Sequence, residues 1–149
     1  VDNAPRESRA DVLTYNSAPL TETLTLIGQS RVGLHARTEI PHADFFLQLC
    51  DVDPDNISRN ICDGLIRTTP ETPRAADGSL QLDFTLHATA HAFLPGHRLR
   101  LQISSGAHPR YARNLGTDEP LGMATHMVAN RMEILHGGTS ITLPTYPHL

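Results

Sequence analysis

Apolar and polar residues alternate with a period of two along most of the chain. The cleanest run is Leu80, Leu82, Phe84 and Leu86 against Gln81, Asp83, Thr85 and His87. Such a pattern marks a β-strand with one face on a core and the other in water. The run "RLRLQIS" repeats it, with Leu99, Leu101 and Ile103 on one face and Arg98, Arg100, Gln102 and Ser104 on the other. That parity sends the three apolar residues into the core and both arginines away from it, toward Asp83 or a neighbouring domain. Further strands are expected at Val12–Tyr15, Thr23–Ile27, Arg31–Arg37, Phe45–Val52, Asn60–Arg67, Met127–Leu135 and Ser140–Leu143. The stretch "GMATHMVANRMEIL" also admits a helical face through Met123, Ala124, Met127 and Val128, but Val128, Met132 and Ile134 suit a strand. No other segment carries helical periodicity.

Turn chemistry separates these runs: "DPDN" at 53–56, Asp77-Gly78, Pro95-Gly96 and Gly137-Gly138. Residues 68–77, "TTPETPRAAD", read as a polar surface loop. About nine short strands with turns between them predict an all-β protein, an antiparallel sandwich, jelly roll or barrel. At 149 residues the chain is expected to form one domain, 1–149, with no linker and no internal repeat. It opens on Val-Asp-Asn without an initiator methionine or a signal-peptide pattern, as an excised piece of something longer would.

Composition excludes several functions. All twelve basic residues are arginine, so a lysine Schiff base and a P-loop lysine are ruled out. A formal charge of −4 with scattered arginines argues against nucleic-acid binding. No apolar run approaches the roughly 20 residues of a membrane span, so no membrane partner is expected. Cys50 and Cys62 are too few for a disulfide scaffold and lack CxxC spacing; a reduced pair, and with it a cytoplasmic setting, is favoured, with a cross-strand bridge left open.

Each candidate for chemistry meets an objection. A nucleophile elbow, G-x-S-x-G, is absent, and its nearest approach, "SSG" at 104–106, ends an amphipathic strand with no apolar helix after it. His87 and His91 have the i, i+4 spacing of a helical metal pair, but in a strand they would stand about 13 Å apart, too far to share an ion. Asp51, Asp53 and Asp55 open a calcium-loop pattern that fails at Asn56 and Cys62, leaving Asp51 and Asp63 as carboxylates for at most a weak cation site. A carbohydrate-binding module needs exposed aromatic faces, whereas the chain has no tryptophan and only Tyr15, Tyr111 and Tyr146. In "HPRYARN", Arg110 and Arg113 flank Tyr111 and are expected to pair with carboxylates such as Asp118 or Glu119. His97 at the strand entrance reads as a structural hydrogen-bonding residue. No catalytic, metal-binding or cofactor-binding residue is assigned, and no cofactor is expected.

Three blocks together resemble a known family: "RADVLTYNSAPLTETLTLIG", "ADFFLQLCDVDPD" with "NICDGLIR", and "ATAHAFLPGHRLRLQISS" followed by a proline and "RN". From about Arg9 to Pro144 the chain is similar to the C-terminal domain of the X-Pro dipeptidyl-peptidase and cocaine esterase (CocE/NonD) serine hydrolases. The resemblance implies a jelly-roll sandwich, galactose-binding-like in architecture, packed on an α/β-hydrolase domain that carries the Ser-Asp-His triad. It implies no activity in these residues and a role in buttressing that domain and helping enclose its pocket. The competing reading is a free-standing ligand- or carbohydrate-binding sandwich. Against the family pattern, His108 replaces an aromatic before Pro109, and Ala112 replaces an acid before Arg113-Asn114, which removes any ion pair of that acid. Relatives begin with earlier strands, so the first strands of the sandwich are expected to be missing here, with an exposed edge or apolar face that favours self-association into a homo-oligomer.

Overall fold

The computed structural model describes residues 1–147. After a one-turn helix, α1 (Ala4–Glu7), come β1 (Leu13–Asn16), β2 (Leu24–Gly28), β3 (Arg31–Thr38), β4 (Ala43–Val52), β5 (Ser58–Thr68) and β6 (Leu80–Thr85). The series continues with β7 (Thr89–Phe93), β8 (Arg98–Ser104), β9 (Met132–Ile134), β10 (Ser140–Thr142) and β11 (Thr145–Tyr146). All pairings are antiparallel. The front sheet has the order β1-β8-β4-β5. Behind it, β10-β3-β6 and β11-β2-β7 form two short sheets, and β9 joins the former on the β10 edge of β3.

The two rear sheets are one three-stranded ribbon bent at a common level. β3 follows β2 after two residues, β7 follows β6 after three, and β11 follows β10 after two. Each strand therefore breaks where its neighbours break. Gly28 turns β2 with φ +123°, a conformation closed to ordinary L side chains, and it packs beside Pro144. Across the bend Leu86 donates its N–H to the Ser30 carbonyl (2.9 Å), which keeps the backbone satisfied where the ladder is interrupted.

The core lies between front and rear layers. Phe45, Leu47 and Leu49 of β4 and Ile103 of β8 face Leu26, Val32, Leu34, Leu80, Leu82, Leu86 and Phe93, all nearly without exposure. Leu99 and Leu101 reach the same core only partly buried, nearer the open side of the sandwich. Gly64 permits the closest approach of the layers, because a Cβ there would stand 3.0 Å from the Thr85 carbonyl oxygen. Together these elements form the β-sandwich that the alternation predicts.

Four departures from the sequence reading have physical causes. Met127–Leu135 is a strand only over Met132–Ile134, since the preceding residues turn away from β3. Two short strands, β7 and β11, were hidden in the histidine-rich "TAHAF" and the terminal "TY", and α1 is too brief to show a period. Asp83 pairs with Arg31, its diagonal cross-strand neighbour, at 2.6 Å, so it serves neither Arg98 nor Arg100. Most consequential, the supposedly wet face of the front sheet is covered. Every residue of β4 is buried, and Gln102 of β8 has no exposure at all.

Candidate functional site

The cover over the front sheet is built from the N-terminal segment and from residues 105–131, a long strap between β8 and β9 without regular structure. Beneath it, cross-strand neighbours form polar rows on the outer face: Asp44 beside Arg67, Gln48 between Asp63 and Gln102, and Cys50 between Asn60 and Arg100. Buried polar side chains need partners, and the rows supply them. Arg67 grips Asp44 through two bonds of 2.6 Å, and Asn114 of the strap adds a third at 2.8 Å. Gln102 donates to Gln48 at 2.7 Å.

Charged groups fasten the cover. Glu7 of α1 accepts from Ser58 (2.6 Å) and from Arg100, which also donates to Asn16 (2.6 Å). Arg6 lies 5.4 Å over the Phe46 ring and donates to the Gly106 carbonyl (3.0 Å) and to Ser104 (3.4 Å). Tyr111 rests on the same phenyl ring, 5.9 Å between centroids. Arg110 pairs with Asp63 at 2.8 Å, not with Asp118 or Glu119. The strap's fold decides this: Glu119 turns inward on its own loop to accept from the N–H groups of Thr125 (3.1 Å) and His126 (3.4 Å). Those bonds hold the Glu119 carboxyl below its ordinary pKa. Where the family acid is replaced, the Ala112 carbonyl accepts from Arg67 (3.0 Å).

Three histidines lie against buried aspartates. His91 and His97 contact opposite oxygens of the buried Asp51 at 2.9 and 2.8 Å, tying β7 and the β7–β8 turn to the end of β4. His97, at the strand entrance, thus has a hydrogen-bond partner in Asp51. His87 meets the Asp63 carbonyl (2.7 Å) and carboxylate (3.3 Å), so it and His91 have separate partners. Asp51 and Asp63 likewise lie in different clusters, and among the described residues no group of three or more His, Cys, Asp or Glu is arranged to hold a metal ion. Asp53 organises the 53–56 turn, accepting from Ile57 (2.9 Å), and Arg59 at 2.7 Å lowers its pKa. Cys50 and Cys62 are free and buried. Cys62 enters the core opposite Leu49 while Cys50 lies on the outer face within 3.6 Å of Asn3, so the sheet separates them. Burial pushes both thiols up to about 11.

Among the described residues, neither serine–histidine nor threonine–histidine neighbours form a hydrolytic relay. Ser104 accepts from Arg6 and donates toward the Gly106 carbonyl (3.3 Å), with no imidazole beside it. Thr125, His126 and Glu119 adjoin one another, but the hydroxyl (3.0 Å) and the carboxylate (3.6 Å) both face Nδ1 of His126. A relay needs them on opposite ring nitrogens. Two of the three tyrosine rings are also committed, while Tyr146 is exposed. Tyr111 is held between Phe46 and Arg110, while Tyr15 stands edge-on to His136 with its hydroxyl 3.1 Å from Nε2. Burial raises the Tyr15 pKa.

Two concavities bear on the site. One, of about 460 Å³, opens between the edge strands β1 and β10 and is lined by Tyr15, Leu99, Leu101, Ile141 and Leu143. The other, of about 640 Å³, runs between the N-terminal segment and the strap, with Arg6, Arg9, His108, Arg113 and Met127 on its walls. Among the described residues no helix is long and apolar enough to cross a membrane.

The described residues form a β-sandwich whose front sheet carries a fastened outer cover. Comparison with known families makes this specific. Residues 1–141 match the X-Pro dipeptidyl-peptidase C-terminal non-catalytic domain, and the chain belongs to that family. It is 33% identical over 122 residues to cocaine esterase from Rhodococcus sp. (strain MB1 Bresler), covering 78% of this chain and 21% of that protein. A putative serine esterase from Mycobacterium bovis (strain ATCC BAA-935 / AF2122/97) is 29% identical over 128 residues, covering 69% of this chain and 20% of its own length. An α-amino acid ester hydrolase superposes with a TM-score of 0.85 at 27% identity, over 97% of this chain and 27% of that one. An aminopeptidase from a marine sediment Thaumarchaeota archaeon gives 0.85 at 26% identity, over 98% of this chain and 27% of its own. The chain therefore spans only about a fifth to a quarter of the proteins it matches. It is a non-catalytic C-terminal domain of the CocE/NonD hydrolase type.

Proposed function

We propose that this domain works as the non-catalytic part of a larger serine hydrolase, buttressing an α/β-hydrolase domain and helping to enclose its substrate pocket. The observation that carries the reading is the family match over residues 1–141 in relatives four to five times longer than the matched region. In the parent protein a serine hydroxyl of the hydrolase domain would attack an ester or amide carbonyl, expel the alcohol or amine, and leave an acyl-serine that water hydrolyses. X-Pro dipeptide amides and acyl esters are the two substrate classes to separate. The sandwich contributes contact area to that domain, of the roughly 600–1,500 Å² typical between domains of one chain.

Two assays test this. The 149-residue chain is assayed with p-nitrophenyl esters and X-Pro amides, and turnover abolished by a serine-directed phosphonate would overturn the reading. The longer natural product is treated with the same phosphonate, and the labelled serine is expected outside residues 1–149. Label on a serine within this domain would equally overturn the non-catalytic role. Micromolar glycan binding by the isolated chain, lost in Tyr111→Ala, would favour a free-standing binding module instead.

A further inference from the structure

Apolar side chains left in water are concentrated on the strap. Of the nine large exposed hydrophobic residues described, Leu121, Met123, Met127 and Val128 fall within eight consecutive positions. Met127 is 80% and Met123 76% exposed. Scattered apolar residues need no explanation, but a cluster this dense in one surface segment marks a contact surface. Methionine suits such a surface because its unbranched thioether adapts to the facing shape.

The segment is ordered from within. Glu119 accepts from the backbone of Thr125 and His126, and Val128 donates to the Leu115 carbonyl at 2.8 Å. Behind it, Asn114, Ala112, Tyr111 and Arg110 are fixed to the front sheet. The exposed tip therefore projects from a rigid base, and a partner docking there loses little freedom in ordering it.

The occupant follows from position and charge. Relatives carry about three-quarters or more of their length outside the matched domain, and the family is a C-terminal one, so that length enters through the N-terminal side. The N-terminal segment forms one wall of the 640 Å³ groove whose other wall includes Met127. Asp2 and Asn3 are bonded to Ser58, and Asn3 reaches Cys50 on the outer face, so a domain attached before residue 1 arrives on the same face of the front sheet that the strap covers. Arg6 and Arg113, on the same groove, have no carboxylate within salt-bridge distance among the described residues, while Arg9 is paired with Asp11 at 2.6 Å. Guanidinium groups without a carboxylate call for acidic side chains opposite.

We infer that the catalytic domain of the longer protein docks on this strap and groove, setting an apolar patch against Leu121, Met123, Met127 and Val128 and carboxylates against Arg6 and Arg113. The inference rests on the proposed role as a hydrolase accessory domain.

Hydroxyl-radical oxidation read by mass spectrometry tests it, comparing the longer natural protein with the 149-residue chain. Met123 and Met127 should be protected by roughly fivefold or more in the longer protein, as water is excluded from an interface centre. Met132, which packs on the core, serves as internal control. Protection elsewhere on the sandwich with unchanged methionines overturns this surface but leaves the accessory role standing. No protection anywhere overturns both. Protection that rises with concentration in the 149-residue chain itself identifies a second copy as the occupant, which also overturns the inference. Met127→Glu supplies a second readout. It should shift the melting temperature of the isolated chain by at most ~1–2 °C, as exposed substitutions do. In the longer protein it should abolish protection of Met123, and a Met123 still protected goes against the inference.

Discussion

Asp44 is where the strap, the front sheet and stability meet, and Asp44→Ala isolates its contribution. The carboxylate side chain is 2% exposed and accepts three hydrogen bonds, two from Arg67 and one from Asn114. Removing it strands a guanidinium and an amide under the strap. Breaking a buried pair on one side costs about 3–5 kcal/mol, because the remaining charge stays desolvated. Arg67 keeps 26% of its side-chain exposure, so water recovers part of that cost and the lower end applies. Adding a lost bond to Asn114, the expected destabilisation is ~3–4 kcal/mol, or ~7–14 °C in melting temperature for a domain of this size. Urea and thermal unfolding followed by far-UV circular dichroism measure it. The double variant Asp44→Leu/Arg67→Met removes both charges and should recover most of the loss, since a well-packed apolar replacement of a buried pair is often neutral. A loss below about 1 kcal/mol for Asp44→Ala would refute the reasoning, placing the pair among solvent-screened surface contacts.

Three other outcomes are expected. Gly64→Ala pushes a methyl to 3.0 Å from the Thr85 carbonyl oxygen and 3.2 Å from Leu86 Cα, backbone that cannot yield cheaply; chemical denaturation should register about 1–3 kcal/mol, and a neutral result would mean the layers separate freely. With both thiols near 11, neither Cys50 nor Cys62 should react with a disulfide reagent at pH 8 in the native state. Deleting residues 1–8 should release Cys50 alone, because Asn3 covers it while Cys62 lies in the core, and equal release of both would contradict the two-face placement. Asp77 lies well below the ordinary carboxylate range, first through Ser79 and then Arg37, and Asp53 and Asp83 are lowered chiefly by Arg59 and Arg31. Depressed folded values place their stabilisation above the unfolded pKa of about 3.9, to be lost as pH falls through the folded values. The urea midpoint should therefore decline below about pH 5, less steeply in Asp77→Asn, and an identical slope in that variant counts against Asp77.

The strands were legible wherever one face is apolar and the other meets solvent. Leu80, Leu82 and Phe84 pair across from Ala36, Leu34 and Val32 as their alternation required, and the 53–56 turn joins β4 to β5. The reading failed where polar residues are buried. Gln48, Gln102 and Arg100 have the parity of a wet face, and nothing in a period of two distinguishes water from a covering segment. The cover itself has no period to detect, because α1 is a single turn and the strap follows its own side-chain bonds. Partner choice was equally hidden: Arg110 lies nearer in sequence to Asp118 and Glu119, yet the strap's path sets it beside Asp63.

That failure also locates what matters for function. The front sheet has two covered faces and uses its amphipathicity internally, so on that side of the sandwich the surface left for recognition is the outside of the cover, where alternation gives no information. The blocks that identify the family are strands and turns: "ADFFLQLCDVDPD" builds β4 and its hairpin, and "FLPGHRLRLQISS" builds the turn into β8. They build the sandwich itself. The strap, by contrast, carries the exposed methionines and Arg113, and it is fastened to the sheet through Asp44, Asp63 and Phe46. Substitutions in the sheet should therefore act on stability in the isolated chain and the longer protein alike, while substitutions at the strap tip should matter only when the rest of the protein is present.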